Sequence, residues 1–264
     1  AVKAEHMIAK ARNLSIGDYF LFVNKRQKAY FSSWLLSAGI ALSEENCGLI
    51  PVSVSPEIPE LSFNDKSSQS TFIYAGGFYP WHNPMVGIRT VSECLVRLDR
   101  GRLVLFTESH GLSDSDRKAF DVLREAVRGN SRVVFRGLIP RDELFGEYRK
   151  AHVALDLMKW NLERELAFTT RTVEYLSYGL PVIYNDYAEL ANYIEKYKAG
   201  WCVDPEDPRE IRGVVEYILN NPQALKEYSA NAQTLVKENF TWDKTIKPLV
   251  EFCKNPKKRE RQQL

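Results

Sequence analysis

The chain has almost no net charge. Its 36 basic residues nearly balance 34 acidic ones, leaving +2 at pH 7, so no overall field gathers nucleic acid, and none is expected as a partner. Cysteine is scarce, and Cys47, Cys94, Cys202 and Cys253 are scattered without CxxC spacing. That distribution fits reduced thiols and a cytoplasmic location rather than a disulfide framework. Long hydrophobic runs are missing as well: no apolar stretch approaches the roughly 20 residues that span a bilayer, and no signal peptide is visible. The four histidines, His6, His82, His110 and His152, show neither ligand spacing nor an HExxH, so no metal site is expected. No GxSxG elbow occurs. Asp114-Ser-Asp116 has DxD spacing, but it follows Ser113 at an expected helix start, where acids stabilise the exposed amides. His152 opens an expected strand and reads as structural.

What is present is a chain of 264 residues, 44% hydrophobic, long for one domain and short for two large ones. One complete domain plus a remnant is expected. A helical opening, Val2 to Leu14, precedes the apolar run Tyr19 to Val23, and a second helix covers Lys25 to Ser37, ended by Gly39. A five-residue apolar strand needs partners. The Pro- and Ser-rich stretch Pro51 to Ser70 separates this one from the strands that follow, so it reads as orphaned.

From Thr71 short apolar runs alternate with helical patterns. The expected strands are Phe72 to Ala75, Leu103 to Thr107, Val133 to Arg136, Val153 to Leu157, Val182 to Asn185 and Trp201 to Val203. Such alternation implies a parallel sheet covered on both faces, a doubly wound α/β fold. After Pro208 the pattern is helical only. In a Rossmann-like strand order of 3-2-1-4-5-6, ligands bind beyond the carboxyl ends of the first and fourth strands. The loop Gly76 to Asn83 would then meet the segment Lys159 to Phe168. Gly76-Gly77 lets the backbone approach a phosphate or sugar, and Phe78, Tyr79 and Trp81 can stack on a ligand or pack against another domain.

The chain is organised around Glu163 to Asp186, ERELAFTTRTVEYLSYGLPVIYND. It divides into an acidic, irregular lead-in, a short helix beginning near Thr169, and a strand opening at Pro181. Thr169 or Thr170 can cap the helix, Gly179 can take the left-handed conformation after it, and Pro181 forbids its continuation. Val173 and Leu176 share a packing face, while Thr170 and Glu174, four apart, share another. The first-turn amides of Thr170, Arg171 and Thr172 lack intrahelical acceptors, and Arg171 adds a full positive charge. An anion such as a pyrophosphate fits there. Glu174, one turn on, suits the neutral diol of a ribose.

Glu165-Leu-Ala-Phe168-Thr-Thr-Arg-Thr-Val-Glu174-Tyr-Leu-Ser-Tyr-Gly179-Leu-Pro181-Val182 resembles the acidic motif E-x-F-G-x-x-x-x-E-x-x-A-x-G-x-P-V of retaining GT-B glycosyltransferases of the glycogen-synthase and mannosyltransferase type. Phe168, Glu174, Gly179, Pro181 and Val182 fall in register. In that family the second Glu binds the donor ribose, which the resemblance carries onto Glu174. The first Glu contacts the transferred sugar; its register position here is Leu166, with Glu165 one residue early as the candidate. Thr169 stands where the family has Gly. Phe135-Arg-Gly137-Leu138-Ile-Pro140 resembles the segment that runs along the nucleobase, so Gly137 and Leu138 are expected to line it, although a plain strand-to-helix turn explains the same residues. Family members often carry an Arg and a Lys after the first strand to stabilise the leaving diphosphate. Here Gly77 replaces the Arg and His82 lies near the Lys position, leaving Arg171 or His82 as substitutes. Phe240-Thr-Trp242-Asp243 resembles the point where the chain crosses back to the first domain.

The resemblance therefore implies a donor-binding half of a metal-independent glycosyltransferase: residues 1–50 a remnant of the acceptor-side domain, 51–70 a linker, 71–240 the nucleotide-sugar domain and 241–264 a crossover helix with a basic tail. The chain opens without Met inside an expected helix, and a truncated protein is expected. No cofactor is implied beyond a nucleotide-diphosphate sugar, a UDP or GDP sugar, as co-substrate, with a glycan or lipid-linked acceptor and a retained anomeric configuration. The basic run Lys254 to Arg261 reads as a solvated terminus or as a peripheral contact with the inner membrane face. Two other classes remain open at this level: a nucleotide-sugar 2-epimerase, and a non-catalytic nucleotide-sugar-binding module.

Overall fold

The computed structural model describes residues 4–62, 66–67, 69–77, 82–108 and 114–259, with the side chains of 115, 116 and 119 excepted. Phe78, Tyr79, Trp81, His110, Ser113, the Asp116 carboxylate and Arg261 lie outside the described residues.

The chain opens with α1 (Ala4–Ser15), β1 (Phe20–Phe22), α2 (Lys25–Ser37) and β2 (Cys47–Leu49). β1 is not orphaned. It pairs in parallel with β2 through Phe20 to Cys47, Leu21 to Gly48 and Phe22 to Leu49, and Phe22, Leu35, Ile40 and Cys47 close a small core between this pair and α2. β2 escaped notice because three residues, one of them Gly, show neither alternation nor β-branched enrichment.

The main sheet follows. β3 (Thr71–Ala75), α3 (Met85–Arg97), β4 (Arg102–Phe106), α4 (Asp114–Ala126), β5 (Val133–Phe135), α5 (Arg141–Lys150) and β6 (Val153–Asp156) make its first part. Then come α6 (Leu162–Leu166), α7 (Thr170–Ser177), β7 (Val182–Asn185), α8 (Glu189–Tyr197) and β8 (Gly200–Val203). The order is β5-β4-β3-β6-β7-β8, wholly parallel, which is the expected 3-2-1-4-5-6 with its reversal between β3 and β6. Period-2 alternation directs Phe72, Tyr74, Leu103, Leu105 and Leu155 to one core and Ile73, Ala75, Val104, Phe106 and Ala154 to the other. Both faces are covered, so the strands read as continuous apolar runs rather than alternating ones. Each large side chain so buried contributes roughly 1.5–3 kcal/mol.

The helical remainder is α9 (Pro208–Asn220), α10 (Leu225–Asn239), α11 (Trp242–Thr245) and α12 (Lys247–Lys254). α9 packs on α3, and α10 on α7 and α8. At Phe240 the chain leaves this body: Val54 forms a parallel bridge with Thr241, its N–H bonds Phe240 O at 2.9 Å, and Trp242 N–H bonds Val54 O at 3.0 Å. α12 then lies on the β1–β2 unit, with Tyr19 stacked on Phe252 at 4.4 Å. The tail continues there, Arg259 donating to Ser15 O at 2.6 Å and Lys257 pairing with Glu45 at 3.5 Å. Among the described residues no helix is long and apolar enough to cross a membrane, and the four cysteines are unpaired.

Candidate functional site: the crevice where the strand order reverses

Three segments meet above the carboxyl ends of β3 and β6. The loop after β3 is tied to the loop after β6 by Lys159 N–H to Asn83 O at 3.2 Å. α7 is fastened to the end of β3 from the side: the Tyr175 hydroxyl accepts from Ala75 N–H at 2.8 Å and donates to Ala75 O at 3.1 Å. The face expected to pack does so, with Val173 and Leu176 fully buried, and Gly179 takes φ +66° as the left-handed stop requires. Thr170 and Glu174 lie on the outward side.

Two expectations are corrected. The lead-in is not irregular: Leu162–Leu166 forms the one-turn helix α6, capped by Asn161, whose side chain accepts from Arg164 N–H at 3.0 Å. Nor does Thr169 cap α7 with its hydroxyl. It occupies the N-cap position with no side-chain capping bond, because its Oγ1 lies 3.2 Å from the Tyr184 hydroxyl instead.

Arg171 turns inward. Its Nη1 donates to Ala75 O at 3.3 Å, its Nε lies 3.4 Å from Asp156 Oδ1, and its guanidinium sits 5.3 Å from the Tyr74 ring. Burial opposes its charge, but the Asp156 carboxylate holds its pKa above the ordinary value. Thr172 donates its hydroxyl to the other Asp156 oxygen. The space that a Cβ at Gly76 would fill is taken by Arg171 Nη1. Glycine at this position therefore admits a guanidinium beneath the loop, in addition to whatever approaches from above. Gly77 follows, half-buried, its carbonyl 3.5 Å from the Tyr74 hydroxyl.

His82 is brought to the same place. Burial, then the Arg164 and Arg171 charges, push its pKa down to about 4, so at neutral pH it offers a neutral imidazole rather than a cation. Arg164, whose neighbouring acids allow an ion pair within the segment, has an 11% exposed side chain and grips Glu163 with Nε at 2.6 Å and Nη2 at 2.7 Å. Glu165 is drawn the other way. One oxygen lies 3.2 Å from Arg26 Nη1 on α2, and the other accepts from Trp160 Nε1 at 2.9 Å.

At the far side of α7, Glu174 faces the turn between β5 and α5. Gly137 adopts φ +65° there, Leu138 is half exposed, and Arg141, the first residue of α5, pairs with Glu174. Burial raises the Glu174 pKa, and Arg141 partly offsets that. Among the described residues no cluster of three His, Cys, Asp or Glu side chains converges. Asp156 and Arg141 are the site residues that sequence reasoning missed. The only available signal was one acid closing the apolar run Val153-Ala-Leu-Asp156; for Arg141 there was none beyond its place after Pro140.

Residues 108–251 match the family model described as glycosyl transferase-like. The chain belongs to the glycosyl transferase-like family. No curated protein matches this glycosyl transferase-like chain. Among solved structures it is similar to sucrose-phosphate synthase from Thermosynechococcus elongatus, at 18% identity and TM-score 0.75, covering 96% of this chain and 61% of that one. It is also similar to Anabaena HepE in complex with UDP and glucose, at 14% identity and TM-score 0.71, covering 96% and 69%. A third likeness is to the C-terminal domain of LpcC, a glycosyl transferase group 1 family protein from Francisella tularensis, at 13% identity and TM-score 0.56, covering 72% of this chain and 99% of that domain. The fold is that of GT-B glycosyltransferases, and the chain spans about three fifths of the synthase's length.

Proposed function

We propose that this chain forms the donor-binding half of a glycosyltransferase that takes a sugar from a nucleotide-diphosphate sugar. The observation that carries the reading is the meeting, at the β3–β6 reversal of a member of this family, of the α7 N-terminus and the Gly76-Gly77 loop, with the half-buried carboxylate of Glu174 one turn along the same helix. The diphosphate lies against the first-turn amides of Thr170, Arg171 and Thr172, and the ribose diol donates to Glu174, displacing the exposed Arg141. The base lies along Gly137 and Leu138.

In this reading an acceptor hydroxyl attacks the anomeric carbon, the bond to the diphosphate oxygen breaks, the hydroxyl's proton passes to that departing oxygen, and the charge left on the diphosphate is met by preorganised amides and by Arg171 beneath Gly76. His82, neutral before the ligand arrives, donates a hydrogen bond, and a phosphate anion beside it raises its pKa. Glu165 keeps lone pairs beyond those used by Arg26 and Trp160, and accepts a hydroxyl of the transferred sugar. Retention at the anomeric carbon and independence from metal belong to the same proposal, as does the assignment of residues 1–50 to an acceptor-side domain. The neutral state of His82 is also what a non-catalytic donor-binding module would show.

A thermal-shift panel of UDP, GDP, ADP, dTDP and CMP tests the reading, since a ligand bound only by the folded state raises its stability. UDP is the first choice, being the nucleotide in the HepE complex. One nucleotide should stabilise the protein, and Glu174→Ala should lose that response; an unchanged response in the variant removes the ribose assignment. Turnover of the matching sugar nucleotide in the full-length protein with an acceptor separates transfer from mere binding, and reaction without an acceptor would indicate an epimerase.

A further inference from the structure

We propose that Asn24 and Arg26, both from the N-terminal segment, are positioning residues for the crevice: they hold α6 where it sets the mouth of α7. The proposal rests on the donor reading for its functional half and on contacts alone for its structural half.

α6 is a single turn of five residues, too short to persist by itself. Its last carbonyls have no intrahelical donors, and the donor that reaches them comes from far away in the chain. Asn24 Nδ2 donates to Leu166 O at 3.0 Å and lies 3.5 Å from Ala167 O. This amide is not an opportunistic surface contact, because Asn24 is 2% exposed and fixed at its other end. Its Oδ1 caps α2 by accepting from Gln27 N–H at 2.7 Å, while Gln27 Oε1 accepts from Val23 N–H at 3.0 Å.

Arg26 adds a second hold at the preceding residue, Glu165. Its Nη1 lies between Glu165 and the carbonyl of Tyr187, and its own N–H donates to Glu189 Oε2 at 3.1 Å, at the start of α8. Residues 24–26 thus bind both the segment after β6 and the segment after β7. The Arg26–Glu165 pair is one-third exposed on each side and contributes little alone; the buried amide on two carbonyls is the stronger hold. Thr169, three residues past Leu166, opens α7, so a shift of α6 displaces the amides assigned to the diphosphate. The donor site is then completed by a residue pair outside the donor sheet, and any separation of the β1–β2 unit from that sheet loosens it.

The test uses the whole chain with two variants. Asn24→Asp keeps the oxygen that caps α2, since Asp is as good an N-cap as Asn, but it removes the amide donor and sets a carboxylate against two carbonyls. Arg26→Ala removes the second hold. Hydrogen exchange is read at residues 163–168 and at the control strand 71–75, and the nucleoside diphosphate that stabilises the unaltered chain is titrated against each variant.

Exchange at 163–168 should speed by about fivefold or more in Asn24→Asp with the control strand unchanged, and half-saturation should need about three- to tenfold more nucleotide. Unchanged exchange in both variants overturns the hold. Faster exchange with an unchanged titration reduces the two residues to a structural tether and overturns the positioning role. If no nucleoside diphosphate stabilises even the unaltered chain, the donor reading falls, and with it the positioning role; a chain that binds nucleotide equally well in all three forms defeats only the present inference.

Discussion

Two arginine–carboxylate pairs flank α7, and they are built differently. Arg171 and Asp156 are nearly inaccessible, with side-chain exposures of 14% and 1%, whereas Arg141 is 71% exposed over a Glu174 that is 17% exposed. The first pair also has a hydroxyl from Thr172, a carbonyl from Ala75 and the Tyr74 ring around it; the second has a flexible arginine reaching in from solvent. A buried pair is a charge held in place by its surroundings, here with one Asp156 oxygen bonded by Thr172 and the other, Oδ1, held only by the ion pair. An exposed pair is a placeholder, since its cation returns to water at small cost. In the proposed donor reading, the end assigned to the diphosphate is therefore prepared in advance, and the end assigned to the ribose is vacated on demand.

The comparison breaks first at Asp156. Asp156→Asn leaves the Arg171 guanidinium buried without its counter-charge, and a loss of about 3–5 kcal/mol is expected in urea unfolding. A loss below about 1 kcal/mol would mean that Arg171 swings out to solvent and is not preorganised. Gly76→Ala comes next. The added methyl meets Arg171 Nη1, so the guanidinium must leave its place under the loop, at a cost of about 1–3 kcal/mol by the usual measure of overpacking. Nucleotide binding should weaken in parallel, and binding that is unaffected would detach Arg171 from the diphosphate.

The smallest stability effect is expected at the Arg141–Glu174 pair. Arg141→Ala should change stability by less than about 1 kcal/mol and leave nucleotide affinity equal or improved, because a competitor for Glu174 is gone. The pH dependence sharpens the point. Burial raises the Glu174 pKa, so between its ordinary value and the raised one the folded chain binds the proton more than the unfolded chain does. This group's contribution to stability accordingly falls as pH rises through that window. Nucleotide binding runs the opposite way, weakening as pH falls through the raised pKa, since only the carboxylate accepts two hydroxyls. Arg141→Ala should shift that limb to higher pH, and Glu174→Gln should abolish it; a limb that persists in Glu174→Gln assigns the titration to another group.

How far the sequence reaches can be judged on the same residues. The strands and the limits of α7 were legible because local chemistry dictates them: short continuous apolar runs between helical patterns for the strands, Gly179 and Pro181 for the stop. The strand order followed only from taking the sheet as Rossmann-like. The outward placement of Glu174 followed from its spacing to Val173 and Leu176. What the sequence could not show is where long side chains reach. The charge of Arg171 in the first turn of α7 was legible; its carboxylate partner Asp156 and its place beneath Gly76 were not. Glu165 was legible as a candidate acid, and its pairing with Arg26, 139 residues away in the chain, was not. Those partners are set by the path of distant segments, on which a helix's own periodicity carries no information. β2 and α6 were missed because three and five residues are too few to display a period.

The double crossing at Val54 and Thr241 has a mechanical result. Since backbone passes between the small β1–β2 unit and the large sheet once before β3 and again after α10, and Val54 is bonded on both sides to residues 240–242, a single protease cut between residues 55 and 62 would nick the polypeptide without freeing either fragment. The two pieces would stay joined through Trp242 and the stacked rings of Tyr19 and Phe252, and would migrate together until denaturant parted them.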